Sequence, residues 1–457
     1  MLNIITQVNV IILIYFIISV VIYTLLLFGS FPAILQYFNL DVYSNRRQIS
    51  ENKNLPPVTI IIPMFNEREL IKNTLLSALQ VTYQKHYVLL INDGSTDDSL
   101  KFIKEEFQLK KIPLIVEEKI KTQKIKQAFI SEKYVNLMVV DKEQGGTGDA
   151  LNVGLNVSFT PYIFTMDADS VIAPDALSNL MYEILIREQG IAIGGGVYIL
   201  NGCKVDNGII KKSILPISYT AGIQSAEYLR AHLFNRTGWN MYGGTMSYSG
   251  TATVFNRQEI LEVGGFDVDN YAQDSEMIMR LHRNMHEKKQ TYSIGFNPVA
   301  TVWTDVPASL KSFARQRDRW RRGLLRSVLK NSKMLFNPKY GIQGMFGFPA
   351  YLFLEIMAPY VEFTAYFTVG LSYFYGVLDR TSALLYIILA WGFASYLTVA
   401  NTFISIITFN RYQRINDVLI MLFFATLEMF GFRQYHVLIN IYGSFHYLIN
   451  RLKGKSL

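Results

Sequence analysis

The sequence predicts an α/β domain with a parallel sheet, set between apolar segments long enough to cross a bilayer. Three observations predict it. Apolar runs of strand length recur through the middle of the chain, with helical patterning between the first two. Most of those runs end in aspartate. Long charge-free stretches are confined to the two ends of the 457 residues.

The strand candidates are VTIIIP (58–63), YVLLIND (87–93), LMVVD (137–141) and YIFTMDAD (162–169). Unbroken apolar strands are those buried on both faces, as in a parallel sheet covered by helices. Between the first two, Leu70, Ile71, Leu75, Ala78 and Leu79 recur at helical spacing, predicting a helix over Glu67 to Leu79. In such sheets ligands bind beyond the carboxyl ends of the strands. A single aspartate there reads as a turn or cap residue. Carboxylates at several strand ends point instead to a shared site. The Lys/Glu-rich segment Lys101 to Lys133 reads as a solvated helix face or a variable insertion.

The ends differ from this middle. Met1 to Leu40 holds no charged side chain, and Val8 to Gly29 alone has the length of a span. It lacks a basic leading region and a small-residue cleavage site, so a cleaved signal peptide is not expected. Phe346 to Leu378, interrupted by Glu355, Pro359 and Glu362, and the charge-free Thr381 to Asn410 are further span candidates. Val418 to Phe432, carrying Glu428, is a fourth, and the aromatic-rich Gln434 to Asn450 suits the interface. Domain limits follow at 1–40, 41–339 and 340–457. Arg46, Arg47 and Lys53 follow the first span, and Arg411 and Arg414 follow Thr381–Asn410. By the preference of basic flanks for the inner side, a multi-pass protein of the cell membrane with its middle domain in the cytoplasm is expected. The terminal Arg451, Lys453 and Lys455 also favour that side, which a simple fourth span does not allow. The single cysteine, Cys203, excludes an internal disulfide and a cysteine metal cluster, and fits a reducing compartment.

Four motifs carry chemistry. Asp93 ends a strand before Gly94, where a carboxylate can accept hydrogen bonds from a base or a ribose. Asp167 and Asp169 are two apart, so on extended backbone they point the same way and offer hard oxygen ligands to Mg²⁺ or Mn²⁺. The plainer reading is a pair of solvated turn residues. Asp274, with Glu276, follows the tight turn VGGFD (263–267) and is a candidate general base once partly desolvated. The fourth motif is QRDRWRRG (316–323). Lys311 to Lys339 holds ten Lys or Arg against Asp318 alone, +9 within a chain of +8. Gln316, Arg319 and Trp320 share one helical face. Arg319 suits a phosphate and Trp320 a sugar ring, while an anionic lipid surface would suit Arg321 and Arg322 on another face. Nucleic acid fits poorly, because the cluster abuts an apolar span and no nucleic-acid motif accompanies it. His282 and His286 have zinc-compatible spacing but lack the glutamate of a zincin motif, and read as a surface helix.

The ordered set PMFNE, NDGS, GDALN, DAD, GGFD…QDSE and QRDRW, over residues 57 to 323, resembles the membrane-embedded processive family 2 glycosyltransferases, the group of cellulose, hyaluronan and poly-N-acetylglucosamine synthases. That resemblance implies a GT-A (Rossmann-like) glycosyltransferase domain in the cytosol, flanked by transmembrane helices. It implies a UDP-sugar donor, a glycan acceptor and contact with the lipid bilayer. Glu67, Asp93, Asn152 and Asp167 would bind substrate, Asp169 with Asp167 would hold the metal, and Asp274 would be the catalytic base. Gln316, Arg319 and Trp320 would bind diphosphate and acceptor.

The reaction so implied is inverting transfer of a sugar, glucose or N-acetylglucosamine first, to a growing β-linked polysaccharide coupled to its export. Glu355 and Glu362 are candidate groups on the export path. A membrane-lipid acceptor, giving a glycolipid or polyprenyl-linked sugar, is the alternative, and a non-catalytic transporter a more distant one. A nucleotide-sensing domain after the last spans is not expected from these residues, so any regulation is expected from accessory membrane or export subunits. The sequence departs from the family at Asn92, where a first aspartate is usual, and at Gln273. It departs also at Thr147-Gly148-Asp149, where a lysine is common. Lys142 is the candidate replacement for that lysine on a phosphate or ribose.

Overall fold

The computed structural model describes residues 2–35, 54–376 and 415–454, with isolated positions between 381 and 400. Arg46, Arg47, Lys53, Arg411, Arg414, Lys455, the first domain limit and nearly all of Thr381–Asn410 lie outside the described residues.

All four sequence-predicted strands form: β1 (Val58–Met64), β2 (His86–Asn92), β5 (Leu137–Lys142) and β6 (Tyr162–Thr165). They lie side by side as β5-β2-β1-β6, all parallel. Alternate residues of one strand serve opposite faces. Ile60, Ile62, Val88, Leu90 and Val139 enter one core with Ile71 and Leu75 of the helix Ile71–Leu79. Ile61, Leu89, Ile91 and Val140 enter a second core with Ala150 and Val153 of the helix Thr147–Val157. That second helix packs closely because Gly154 faces Ile61, where a Cβ would stand 2.5 Å from a methyl carbon. Register aligns the strand ends: Met64 pairs with Asn92, and Asn92 with Asp141. Asp93, Lys142 and the Asp167–Asp169 turn therefore emerge at one edge.

The segment Lys101–Lys133 is not an insertion. It supplies the rest of the helix Ser99–Glu106, then β3 (Leu109–Ile112) and β4 (Ile125–Ser131), which extend the sheet antiparallel beyond β5. Two consecutive exposed lysines between half-buried Leu109 and Ile112 on β3 hid a strand edge behind high charge, as edge strands commonly do. On the other side the order continues β6-β11-β8-β12-β7, with β7 (Ser170–Ile172), β8 (Gly190–Ile199), β11 (Thr253–Asn256) and β12 (Ser293–Thr304). The strands β9 (Lys204–Asp206) and β10 (Ile209–Lys212) pair separately. β11 is antiparallel to both neighbours, so the sheet is mixed.

The His282 helix, Gln273–Lys288, is not a surface helix on that face. His282 has no exposure, and its ring nitrogens meet the Tyr292 hydroxyl at 2.8 Å and the Thr245 carbonyl at 3.2 Å. Spacing alone could not show that Met277, Leu281 and Met285 draw this face into the core.

Among the described residues, Asn3–Pro32 and Ile415–Leu452 are long and apolar enough to cross a membrane. Gln343–Ile356 and Ala358–Phe374 form a third such unit bent by 43°. Pro359 follows the bend and cannot donate to the preceding turn. The acids of these helices differ in their partners. Glu362 is forked by Arg433, and Glu428 accepts from Arg230 at 2.6 Å. Glu355 has no ion-pair partner among the described residues. It accepts from Asn235 at 3.3 Å and Tyr23 at 3.4 Å.

Candidate active site

One cavity of about 700 Å³ opens at the carboxyl edge of the parallel strands. Glu67, Asp93, Asp167, Asp169 and Asp274 line it. So do Arg319 and Trp320 of the arginine helix, Leu310–Lys330. Seven residues separated by up to 253 positions in sequence thus meet in one space. Two candidates do not join them. Asn152 is buried and spans the VGGFD turn, donating to the Phe266 carbonyl at 2.9 Å and accepting from its N–H at 2.7 Å. Gln316 is half-buried on the same helix but does not line the cavity, where Arg317 stands beside Arg319 and Trp320.

The acidic side is built from strand ends. Asp169 Oδ1 accepts from Thr304 at 3.1 Å and Ser170 at 3.2 Å, which aims the carboxylate. Asp167 is enclosed by protein yet open to the cavity, and its carboxyl is pushed up to about 8. Enclosure is the larger cause, followed by the charges of Asp169, Asp274 and Glu67. Glu67 is pushed up to about 7 by enclosure and then by Asp169, Asp305 and Asp97. Asp274 is also raised by enclosure, opposed by the Ser275 N–H at 2.8 Å and by Arg236. Several carboxylates crowded into one cavity repel each other, and a divalent cation would relieve that repulsion. The Asp167–Asp169 pair lines the cavity from a turn closed by the Ser170 N–H on the Asp167 carbonyl, and its hard oxygens suit such a cation.

The basic side is more selective than the sequence implied. Arg317 is buried, pairs with Glu227 at 2.9 Å and lies 4.5 Å over the Trp320 ring. Arg321 and Arg322 do not face lipid: each is less than a tenth exposed. Arg321 donates to Ser444 at 2.9 Å, and Arg322 pairs with Asp318 at 3.1 Å. Arg326 pairs with Asp267 and Asp269. Arg319 is exposed to the cavity and makes no ion pair or hydrogen bond among the described residues. Half of the ten basic residues are therefore held within the fold, Lys311, Arg315, Lys333 and Lys339 are exposed, and among the described residues of this helix the unpaired guanidinium in the cavity is Arg319.

Residues 59–263 match the model of the glycosyl transferase family 2, and residues 162–405 match that of the glycosyl transferase family group 2, more than half of the chain. The chain is a family 2 glycosyltransferase. It is 26% identical over 310 residues to the poly-beta-1,6-N-acetyl-D-glucosamine synthase of Staphylococcus aureus strain COL, over 66% of this chain and 65% of that protein. It is 27% identical over 328 residues to the synthase of that name from Staphylococcus epidermidis, over 69% of each. The chain thus matches just under two thirds of the length of the S. aureus relative. A mannosyltransferase from Pyrobaculum calidifontis, solved with GDP-Man and Mn²⁺, aligns at a TM-score of 0.50 and 19% identity, over 90% of this chain and 98% of that one. The fold of this glycosyltransferase is GT-A-like.

Sequence reasoning missed several lining residues of the glycosyltransferase. Arg236, Glu227, Tyr23 and Tyr351 all face the cavity, as does Glu355, which the sequence had singled out for the export path. Arg236 lies in a π-helical turn and Tyr23 in the apolar first helix, and neither sits in a motif. Lys142, the candidate replacement for the family's lysine, is fully buried between Asp93 and Asp149 and does not reach the cavity. Asp149, at the position of the departure, is what draws it inward.

Proposed function

We propose that this glycosyltransferase moves a sugar from a UDP-sugar to the end of a growing β-linked polysaccharide, with inversion. The observation that carries the reading is the continuity of the cavity. It joins Asp93, the Asp167–Asp169 pair, Asp274 and Trp320, and extends to Tyr23 and Glu355 on the apolar helices. N-acetylglucosamine is the favoured sugar, because the relatives above are named as synthases of its β-1,6 polymer.

In this reading Asp93 holds the base. Arg319 offers a planar fork to the diphosphate. A divalent cation, when bound at Asp167 and Asp169, supplies positive charge against the departing diphosphate. Trp320 gives the acceptor sugar a flat apolar face, which Arg317 holds in place. Asp274 accepts the proton of the acceptor hydroxyl as that oxygen attacks the anomeric carbon from the side opposite the diphosphate. An α-linked donor then gives a β-linked product. In this reading the apolar helices hold the domain at a membrane, and the preference of basic flanks for the inner side supports a cytoplasmic cavity. A polar glycan leaving through lipid needs a protein-lined path. Glu355, open to the cavity in the field of Arg236 but in no ion pair among the described residues, belongs to that path in this reading. Glu362, closed by Arg433, does not.

The test is incorporation from a panel of labelled UDP-sugars by purified protein in lipid nanodiscs, with Mg²⁺, with Mn²⁺ and with EDTA. Metal-dependent chains of many units from UDP-N-acetylglucosamine are expected, and Asp169→Ala should abolish them. A lipid carrying a single sugar, or UDP release without product, overturns the reading.

A further inference from the structure

Lys142 ends β5 with no solvent exposure. Its ammonium has three N–H donors. One goes to Asp93, one to Asp149 at 2.6 Å and one to the Glu143 carbonyl at 2.6 Å. None remains for a phosphate or a ribose. Asp149 in turn accepts from the Gln123 N–H at 3.1 Å.

Asp93 is gripped from the same side. Its Oδ1 takes Lys142 and the Gly145 N–H at 2.9 Å, and its Oδ2 takes the Gly146 N–H at 2.8 Å. Gly146 reaches this position at φ +87, which favours glycine. A carboxylate offers about four acceptor positions. Three are taken, so one on Oδ2 remains, on a residue that is 4% exposed and lines the cavity.

We propose that Lys142 is a positioning residue for nucleobase recognition, clamping Asp93 with Asp149 as counter-charge so that one fixed acceptor meets an imide N–H in the cavity. This rests on the nucleotide-sugar reading above. Uracil carries a donor N–H at that edge. Cytosine presents an acceptor there, which the clamped carboxylate repels. Without the clamp Asp93 can turn away, and the preference for uridine over cytidine weakens. The clamp joins β2, β5, the Thr147–Val157 helix and the approach to β4.

The triad holds one positive and two negative charges. Removing Lys142 and Asp149 together keeps the same net charge, that of Asp93 alone. The experiment compares Lys142→Met/Asp149→Asn with Lys142→Gln/Asp149→Asn, both charge-matched to the wild type, for UDP and CDP binding by the full chain in nanodiscs. The Met pair should bind UDP about tenfold or more weakly and lose a similar factor of its preference over CDP. The Gln pair keeps a donor for Asp93 and should stay within about threefold of wild type on both counts. A Met pair with wild-type affinity and preference overturns the proposal, as does a Gln pair no better than the Met pair. A Met pair without a cooperative thermal transition assigns Lys142 to folding and overturns it too. A wild type that binds no UDP fails differently: it removes the nucleotide reading itself, before any variant is compared.

Discussion

Arg321 donates from Nη2 to the backbone carbonyl of Ile356 at 2.7 Å, at the point where the bent pair of apolar helices breaks. Tyr360 N–H, which would claim that carbonyl in an unbroken helix, bonds Met357 instead. The guanidinium also holds Ser444, and Gly443 leaves room for it: a Cβ there would stand 3.1 Å from Arg321 Cβ. One side chain thus ties the helix that carries Trp320 to two apolar segments. Arg321→Met should cost about 2–4 kcal/mol, since two hydrogen bonds from a charged donor are lost. The thermal midpoint in detergent reads this. The exposed Arg315 makes no such bonds, and Arg315→Gln should stay within about 0.5 kcal/mol of wild type. Equal midpoints for the two variants would show that the tie carries no stability.

Asp274→Asn preserves shape and removes the proton acceptor. Transfer should fall by roughly 10²–10⁴-fold while UDP affinity persists. Rates of sugar transfer and UDP titrations on the same preparation separate the two. Transfer within about threefold of wild type would refute the assignment.

Trp320→Ala removes a stacking face and no charge, so product length should fall more than UDP affinity. Arg317 keeps its pair with Glu227 in that variant, which limits the disturbance. Arg319→Lys keeps charge but loses the planar fork and should weaken donor use. Product length and UDP affinity measured for both variants decide between them. Full-length polymer from Trp320→Ala would place the acceptor elsewhere in the cavity.

His282 predicts an acid limb of stability. Burial pushes its pKa down to about 4, while an unfolded histidine titrates near 6.5. Tyr292 and the Thr245 carbonyl suit the neutral ring, and His286 nearby adds to the depression. The unfolded chain therefore takes up a proton that the folded chain refuses. Stability from this group is complete above pH 6.5 and is lost as pH falls toward 4, by roughly 3 kcal/mol. His282→Gln should flatten the difference in thermal midpoint between pH 7 and pH 4.5. An unchanged slope would assign acid sensitivity to other groups.

The sequence by itself determined the parallel core, the acidic strand ends and the apolar helices, because these are local: a buried strand needs an unbroken apolar run, and a span needs length without charge. The motif order also singled out Asp93, Asp167, Asp169, Asp274, Arg319 and Trp320, which line one cavity. Only the tertiary structure decided which charges stay free for chemistry. Arg317, Arg321, Arg322 and Arg326 share one basic helix with Arg319, yet each finds a partner on another element or on the helix itself. Lys142 turns inward because Asp149, seven residues on, faces it across a helix start. Asn152 looked like a ligand by motif and proved to be the brace of a turn. β3 was hidden because an edge strand exposes its lysines and buries little, and β4 because Lys126 and Gln127 interrupt its apolar run. A charge is spent or free according to what packs against it, and that depends on residues far away in sequence.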